Sequence, residues 1–297
     1  MQIGLSPAFL YAYYKENIDY EGLLDCIRKA HKLGFDSLQL EIFLKEHINN
    51  YMGNKAKEIG KLYKDLGLKN TVFCAHALRE ELFSFDKNDE KNFFEDFKEV
   101  LNICLEMDVI NIINIPSYLP KQIFNNKENP YPGADLPGNI QFNKIYSFEK
   151  LWEMVVIRFN KILDIINDTK LYLTIEPIAL TTISSSDSFL RLCDNLNNCL
   201  KLGLNLDVGH IFVQKEPLDT YIKKVNKKIL STHISDNDGI VPDHLPPGEG
   251  KIDWCLVISA LKEVGFKGSL DIEINYVKDG NVDEVYLNSK NFLLKYL

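Results

Sequence analysis

Short apolar runs alternate eight times with longer helical patterns along this chain, and this repeat constrains its fold more than any other feature. The apolar runs predict strands at residues 2–5, 37–41, 70–75, 109–115, 171–176, 202–207, 229–235 and 269–274. Helical patterns follow them near residues 21–33, 50–65, 89–106, 148–167, 187–195, 217–226, 253–264 and 283–296. Eight strand–helix units predict an α/β fold, a closed (β/α)8 TIM barrel of parallel strands. Because no linker composition interrupts the repeat, we predict a single domain over residues 1–297.

Four predicted helix-to-strand junctions share a glycine in a similar sequence context. The junctions read KLGFDSLQL, DLGLKNTVF, KLGLNLD and EVGFKGSLDI. Glycine adopts the left-handed conformation that ends many helices without steric strain. We therefore expect Gly34, Gly67, Gly203 and Gly265 to terminate helices.

Residues 116–147 interrupt the repeat with a long loop after the fourth predicted strand. They contain five prolines and no regular period, and they exceed an ordinary strand–helix loop in length. The loop would leave the barrel on the face where barrel active sites form. Its aromatic residues could cover that face: Tyr118, Phe124, Tyr131 and Phe142. We expect a lid or a subunit contact of a homo-oligomer, and a merely mobile loop is the alternative.

Composition and charge exclude several classes of partner. Against 42 acidic residues stand 34 basic ones, a net charge of −8, and only four of the basic residues are arginines. Nucleic-acid-binding proteins usually carry a basic face, so we predict no nucleic-acid partner. No apolar run approaches 18 residues, which predicts no membrane partner. Six cysteines without a C-x-x-C pair and an N-terminus without a signal-peptide pattern predict a cytoplasmic protein.

Seven of the eight predicted strands end in a carboxylate, an imidazole or an amide. These residues are Glu41, His76, Asn114, Glu176, Asp207, His233 and Glu273. In a barrel of parallel strands, all the carboxyl ends meet on one rim, so residues distant in sequence become neighbours. Any one of them could simply cap a loop or a helix. Their joint occurrence predicts a functional site on that rim.

Four of the strand ends form a set of metal ligands. Clustered carboxylates repel one another and lose hydration, at a cost of several kcal/mol for each buried ion unless a cation neutralises them. Three carboxylates and one imidazole suit Mn²⁺, Co²⁺, Mg²⁺ or Zn²⁺ and leave positions open for substrate. We therefore predict a divalent metal site formed by Glu176, Asp207, His233 and Glu273.

A second polar layer lies two residues before these strand ends. Side chains alternate along a strand, so these residues face the same way as the ligands: Gln39, Cys74, Ile112, Thr174, Asn205, Ser231 and Asp271. An ordinary barrel interior carries mainly Val, Ile and Leu. We predict that this layer orients the ligands from below. A hydrogen-bonded core without a catalytic role is the alternative.

Several motifs give the chain a family resemblance. The segments IEP, LDVGH, THISDNDG, DHLPPGEGKIDW and DIEI occur in this order, mostly within residues 170–275. In order and spacing they resemble the sugar phosphate isomerase/epimerase superfamily of xylose-isomerase-like TIM barrels, over about residues 2–297. The resemblance is to ketose 3-epimerase-like members, which hold one divalent metal. It implies that Glu176 and Glu273 act as acid and base and that His210 contacts substrate.

The implied activity is isomerisation or epimerisation of a small carbohydrate, free or phosphorylated. Removing a proton next to a carbonyl gives an ene-diolate, which a metal ion stabilises. We expect the remaining rim and loop residues to contact this substrate: His76, Glu41, Asn114, Asp243 and His244. His76 could instead orient a ligand, and His210 could instead be tied to backbone.

Three other functions remain open at this point. Superfamily members that cut DNA at abasic sites hold three zinc ions, with ligands that match His76, Asp243 and His244. They also use a histidine where this chain has Asn114, a poor zinc ligand, so such a metal phosphoesterase is the lesser alternative. A polyol dehydratase and a non-catalytic sugar-binding barrel are the other two.

A glycine loop before the last predicted βα unit allows a further interpretation. Gly248 and Gly250 precede the predicted helix start at Asp253, and Lys251 adds a positive charge. Backbone N–H groups in such a loop can bind a phosphate. A purely structural turn is the more frequent role of a glycine loop. The loop after His233 also lacks the arginine that is common in epimerases of free ketoses.

Overall fold

A computed structural model of the chain describes residues 1–120, 122, 147–275 and 281–297. Its strands are β1 Gln2–Leu5, β2 Ser37–Leu38, β3 Leu40–Glu41, β4 Val72–Cys74, β5 Ile112–Pro116, β6 Tyr172–Glu176, β7 Leu202–Asp207, β8 Ile229–His233 and β9 Ser269–Ile272. Its helices are α1 Ala8–Tyr14, α2 Tyr20–Lys32, α3 Lys55–Leu66, α4 Arg79–Leu82, α5 Lys87–Met107, α6 Phe148–Ile166, α7 Ser186–Asn195, α8 Val208–Val213, α9 Leu218–Val225, α10 Trp254–Glu263 and α11 Val282–Leu294.

All paired strands are parallel, and together they form a TIM barrel. One group has the order β2-β1-β9, and the other runs from β3 to β8 in chain order. Backbone hydrogen bonds of Ile234 join the groups: its N–H donates to Asp271 O at 2.8 Å, and its carbonyl accepts from Glu273 N at 2.9 Å. The predicted fold class is therefore confirmed, and the carboxyl ends of the strands share one rim.

The second predicted strand changes its hydrogen-bond partner half-way along. β2 pairs with β1, whereas β3 pairs with β4. The residue between them, Gln39, donates its backbone N–H to Leu5 O at 2.9 Å. The predicted strand at 37–41 is thus two short strands, and Gln39 lies at the break between them.

Most predicted boundaries agree with the structure to within a few residues, but one glycine has a different role. Gly34, Gly67 and Gly265 have φ of 70°, 65° and 76° after helices, as expected. Gly203 lies inside β7, so its prediction as a helix terminator was wrong. A Cβ on Gly203 would overlap the side chain of Leu230, so the close approach of the neighbouring strand accounts for this glycine.

Polar side chains begin several helices, and one of these caps belongs to the rim. Asp253 accepts from Leu256 N at 3.0 Å at the start of α10, as the sequence predicts. Asp207 likewise caps α8 by accepting the backbone N–H of His210. The apolar pattern of the sequence does not predict this short helix. Among the described residues, no helix is both long and apolar enough to span a membrane.

Most of the long loop after the fourth predicted strand, residues 121 and 123–146, lies outside the described residues. Its predicted role as a lid or subunit contact therefore stays a prediction, as do the homo-oligomer and the single-domain boundary. Of the four aromatic residues expected to cover the rim, Tyr118 is described and is buried.

Candidate metal centre

Four side chains from successive strands converge at the rim. Glu176 ends β6, Asp207 ends β7, His233 ends β8 and Glu273 directly follows β9. Each offers one ligand atom, and these four atoms all lie within 4.8 Å of one another. Glu176, Asp207 and His233 are at most 4% exposed. The structure thus brings together the four residues that the sequence nominated as ligands.

His233 stands at the centre of this group. Its Nδ1 lies 3.0 Å from Glu176 Oε1 and 3.4 Å from Glu273 Oε1. Its other ring nitrogen, Nε2, lies 3.1 Å from Gln39 Oε1. The imidazole is therefore held between two carboxylates above and an amide below.

Glu176 is oriented by a buried amide. Asn114 Nδ2 donates to Glu176 Oε2 at 2.8 Å, and Thr174 Oγ1 donates to Asn114 Oδ1 at 2.9 Å. Asn114 is fully buried and does not line the cavity above the rim. The structure therefore places it against a carboxylate ligand, and its predicted contact with substrate stays a prediction.

Asp207 is satisfied on only one of its two oxygens. Its Oδ1 accepts the backbone N–H of His210 at 2.9 Å. This hydrogen bond caps the N-terminus of α8. The other oxygen of Asp207, Oδ2, is buried and has no hydrogen-bond partner within the described part of the chain. A buried carboxylate oxygen without a partner is costly, because it has lost water and gained nothing in return. This oxygen fits a metal ligand.

A loop histidine supports Glu273 from the other side. His244 Nδ1 lies 3.3 Å from Glu273 Oε2, and its ring packs edge-on against His210 with centroids 5.2 Å apart. The backbone of His244 has φ of 50°, a conformation that is uncommon for a residue with a side chain. The imidazole that meets Glu273 at the rim thus belongs to a residue with an uncommon backbone conformation.

The electrostatics of the cluster favour a cation. Burial raises the pKa of Asp207 well above its usual range, and repulsion from Glu273 raises it further. Burial opposes a charged His233, but Glu176 and Glu273 outweigh it and raise the pKa of that imidazole. Both upward shifts have one origin, three carboxyl groups that share a volume with little water and repel one another when they are ionised. A divalent ion would relieve this repulsion, and the donor set of three carboxylates and one imidazole fits one.

A cavity of about 670 Å³ opens above the cluster. It is lined by Glu176, His233 and Glu273 and by four of the predicted substrate contacts: Glu41, His76, His210 and His244. Burial raises the pKa of Glu41, and the charge of Glu273 adds to this effect. Asp243 is exposed and is not brought to the cavity, so its predicted role has no geometric support here.

Sequence reasoning missed part of the cavity wall. Arg79 lies against the His76 ring and stacks on Tyr118, with its guanidinium carbon 5.0 Å from the ring centroid. Phe43 also lines the cavity, where its ring packs against Tyr11 with centroids 5.7 Å apart. Arg79 follows His76 by three residues, and Phe43 follows Glu41 by two. Their positions two or three residues after a strand-end residue could have identified them as part of the cavity wall.

The glycine loop after His233 is organised around one carboxylate. Asp236 accepts from Gly248 N at 2.9 Å, from Ile252 N at 3.1 Å and from Trp254 Nε1 at 2.8 Å. The N–H of Gly248 that could have met a phosphate is already taken by this carboxylate. This network supports the structural turn that the sequence favoured, and it leaves the backbone N–H of Gly248 unavailable to a phosphate.

Comparison with known proteins agrees with this architecture. A family model described as xylose isomerase-like TIM barrel matches residues 27–296. The chain belongs to this family. The family resemblance inferred from the sequence motifs is therefore confirmed.

Relatives in this family are distant. An uncharacterized protein of Methanocaldococcus jannaschii is 30% identical over 114 residues, and this match covers 37% of the chain and 36% of that protein. The chain thus spans about a third of that relative. A D-psicose 3-epimerase of Enterocloster bolteae is 20% identical over 94% of the chain and 85% of its own length. A crystal structure of the IOLI protein with a binding zinc atom has a TM-score of 0.74 at 18% identity, over 100% and 99% of the two chains.

Proposed function

We propose that this chain is a divalent-metal-dependent isomerase or epimerase of a sugar or sugar phosphate. The proposed reaction is proton transfer next to a carbonyl through an ene-diolate of the substrate. The observation that carries this proposal is the approach of two glutamates to one imidazole nitrogen: Glu176 and Glu273 lie 3.0 and 3.4 Å from His233 Nδ1. Family membership and the D-psicose 3-epimerase among its relatives support the carbohydrate class.

The metal would be held by Glu176, Asp207, His233 and Glu273, and Mn²⁺, Co²⁺, Mg²⁺ and Zn²⁺ are the candidates. When bound, the ion supplies positive charge beside the substrate oxygens on which negative charge develops. The zinc atom in the structure of the IOLI protein supports a metal in a barrel of this kind.

The proton transfers fall to the two glutamates. Glu176 is fixed by Asn114, and Glu273 is approached by His244, so the two carboxylates are held by separate parts of the barrel. One removes the proton from a substrate carbon, and the other returns a proton to that carbon or its neighbour. A position between two carboxylates lets the proton leave one face and return on the other.

His210 is the proposed hydrogen-bonding partner of a substrate oxygen. It lines the cavity, and its Nδ1 is buried without a partner among the residues that the structure describes. A substrate hydroxyl or carbonyl oxygen would satisfy this nitrogen. Glu41 and His76, whose Oε1 and Nδ1 lie 3.2 Å apart, would contact the part of the sugar that is remote from the metal.

The test combines metal analysis with a ketose and aldose panel in D₂O. We expect one divalent ion per chain, loss of turnover on chelation and deuterium at a substrate carbon. Glu176→Gln and Glu273→Gln should each lower kcat by about 10²- to 10⁴-fold, the usual contribution of a general acid or base. Glu249→Gln, which changes an exposed glutamate, is the matched control and should be neutral.

Other outcomes would replace the proposal. Full activity in both glutamine variants would remove the acid–base assignment. More than one zinc per chain together with salt-sensitive DNA binding would indicate a phosphoesterase. A product lacking the elements of water would indicate a dehydratase, and sugar binding without turnover would indicate a binding protein.

A further inference from the structure

A hydrogen-bonded row of side chains leads from His233 down to the floor of the barrel. Gln39 Oε1 lies 3.1 Å from His233 Nε2, and Gln39 Nε2 donates to Asp271 Oδ2 at 2.7 Å. The hydroxyl of Ser37 donates to the other oxygen of Asp271, Oδ1, at 2.9 Å. All four residues are at most 6% exposed. The row therefore links β8, which ends at His233, to the β2-β1-β9 group, which contains Ser37 and Asp271.

Donor and acceptor roles along this row are interdependent. Both oxygens of Asp271 accept hydrogen bonds, Oδ1 from Ser37 Oγ and Oδ2 from Gln39 Nε2, so Gln39 turns its NH₂ group toward Asp271. The Gln39 carbonyl oxygen then faces His233, and it also accepts the thiol of Cys74 at 3.3 Å. A carbonyl oxygen cannot donate, so the His233 nitrogen that faces it, Nε2, must carry a proton. On a neutral imidazole the lone pair is then left on Nδ1.

We propose that Gln39, oriented by Asp271, is a positioning residue that fixes the Nε2–H form of His233 and thereby presents Nδ1 to the divalent ion. The inference rests on the metal site of the proposed function. It adds what the four ligands alone do not specify, namely which imidazole nitrogen binds. Histidine ligands are commonly fixed through the ring nitrogen that does not bind the metal.

The strand break and one glycine make room for this row. Gln39 lies where the second predicted strand changes partner from β1 to β4. On the neighbouring strand, a Cβ on Gly4 would overlap both Ser37 Oγ and Asp271 Oδ1. A side chain at position 4 would therefore displace the groups that orient Gln39. This requirement explains a glycine in the middle of a buried strand.

The decisive variant is Gln39→Met, which keeps the length and approximate volume of the side chain but cannot accept the proton of His233. Its matched control is Thr232→Val. Thr232 directly precedes His233, is equally buried, donates to Ser269 O at 2.8 Å and accepts the backbone N–H of Asp271 at 3.2 Å. The control therefore loses two buried hydrogen bonds next to the row and leaves the side chains of Gln39, Asp271 and His233 unchanged. Asp271→Asn is the conservative variant, because it retains a carbonyl oxygen for Gln39.

The first measurement uses Zn²⁺-loaded protein labelled with ¹⁵N-histidine, because a metal ion on one ring nitrogen leaves a proton only on the other. We expect an exchange-protected Nε2 proton on His233, assigned by its absence in His233→Asn. The signal should disappear in Gln39→Met and persist in Thr232→Val and Asp271→Asn. A Nε2 proton that is equally protected in Gln39→Met would overturn the proposal, whatever the protein catalyses.

The second measurement is Zn²⁺ affinity by competition with a chelator. Gln39→Met should weaken binding by about 10- to 100-fold, the usual effect of removing a group that supports a metal ligand. The control and the conservative variant should stay within a few-fold of the original protein. Equal losses in Gln39→Met and Thr232→Val would show a general structural effect and overturn the proposal. Failure of sugar turnover with both results intact would reject the proposed reaction and leave the positioning role standing.

Discussion

The two sides of the polar layer beneath the rim differ in how their side chains are satisfied. Gln39, Asp271, Asn114 and Thr174 form hydrogen bonds that end on His233 or Glu176. Under β7 and β8, both polar atoms of Asn205 and the hydroxyl of Ser231 are buried without partners among the described residues. The two sides are similar in burial and in residue type, so composition alone does not distinguish them.

This difference indicates how the metal ligands are prepared. His233 and Glu176 are oriented by the protein itself, because buried amides hydrogen-bond to them. Gln39 contacts His233, and Asn114 donates to Glu176. Asp207 is held on one oxygen by the start of α8, and its other oxygen has no partner in the described ranges. One side of the site is thus preorganised, and the other side depends on the ion for its last interaction.

The largest effect should follow Asp207→Asn. The asparagine would present either its NH₂ group or a neutral carbonyl oxygen to the ion, and both are poorer ligands than a carboxylate. Zn²⁺ affinity should therefore fall by more than about 100-fold, which exceeds the usual loss when a group that only supports a ligand is removed. The metal-free variant should melt at the same temperature as the original protein or higher, because a neutral amide replaces a buried carboxyl group that has one oxygen without a described partner. Calorimetry with and without Zn²⁺ measures both. An unchanged Zn²⁺ dissociation constant would contradict this role of Asp207.

An intermediate effect should separate two asparagines that are both fully buried. Asn114→Ala removes the donor to Glu176, so Zn²⁺ affinity should fall by about 10-fold or more. Asn205→Ala is the matched control, and it should leave Zn²⁺ affinity unchanged because that amide has no partner among the described residues. Titration of the two variants side by side checks the contrast. Equal losses would show that the two sides of the layer do not differ in function.

The smallest effect on the metal should come from Gly4→Ala. The added methyl group would press on Ser37 and Asp271, and overpacking of this kind costs about 1–3 kcal/mol of stability. Zn²⁺ affinity should change by less than 10-fold, since no ligand is touched. Chemical denaturation measures the loss, and Gly22→Ala in α2 is the control, with an expected change of at most about 1 kcal/mol. A Gly4→Ala protein of unchanged stability would mean that the row below His233 tolerates displacement.

Periodicity predicted the barrel well because each strand–helix unit carries its own local signal. Strands such as Gln2–Leu5 and Leu202–Asp207 agree with the predicted ranges residue for residue. The misassigned Gly203 shows the limit of local context. Its surroundings resemble those of Gly34 and Gly265, but its cause is a neighbouring strand, which no local window contains.

The candidate site divides in the same way. The residue types at the strand ends sufficed to nominate Glu176, Asp207, His233 and Glu273 as ligands, and parallel strands in one barrel require those ends to meet. Sequence reasoning had no means to exclude Asp243 from the cavity or to include Arg79, because loop and helix geometry beyond the strand ends decides both.

The sequence by itself therefore determined the barrel and the chemical character of its rim, since alternation of side chains along strands is a local property. Only the tertiary structure decided which polar groups satisfy one another. Gln39 reaches His233 across 194 residues, and Asp207 keeps one oxygen without a described partner. Hydrogen-bond partners depend on distances of a few tenths of an ångström between distant segments, and a linear pattern carries no such distances.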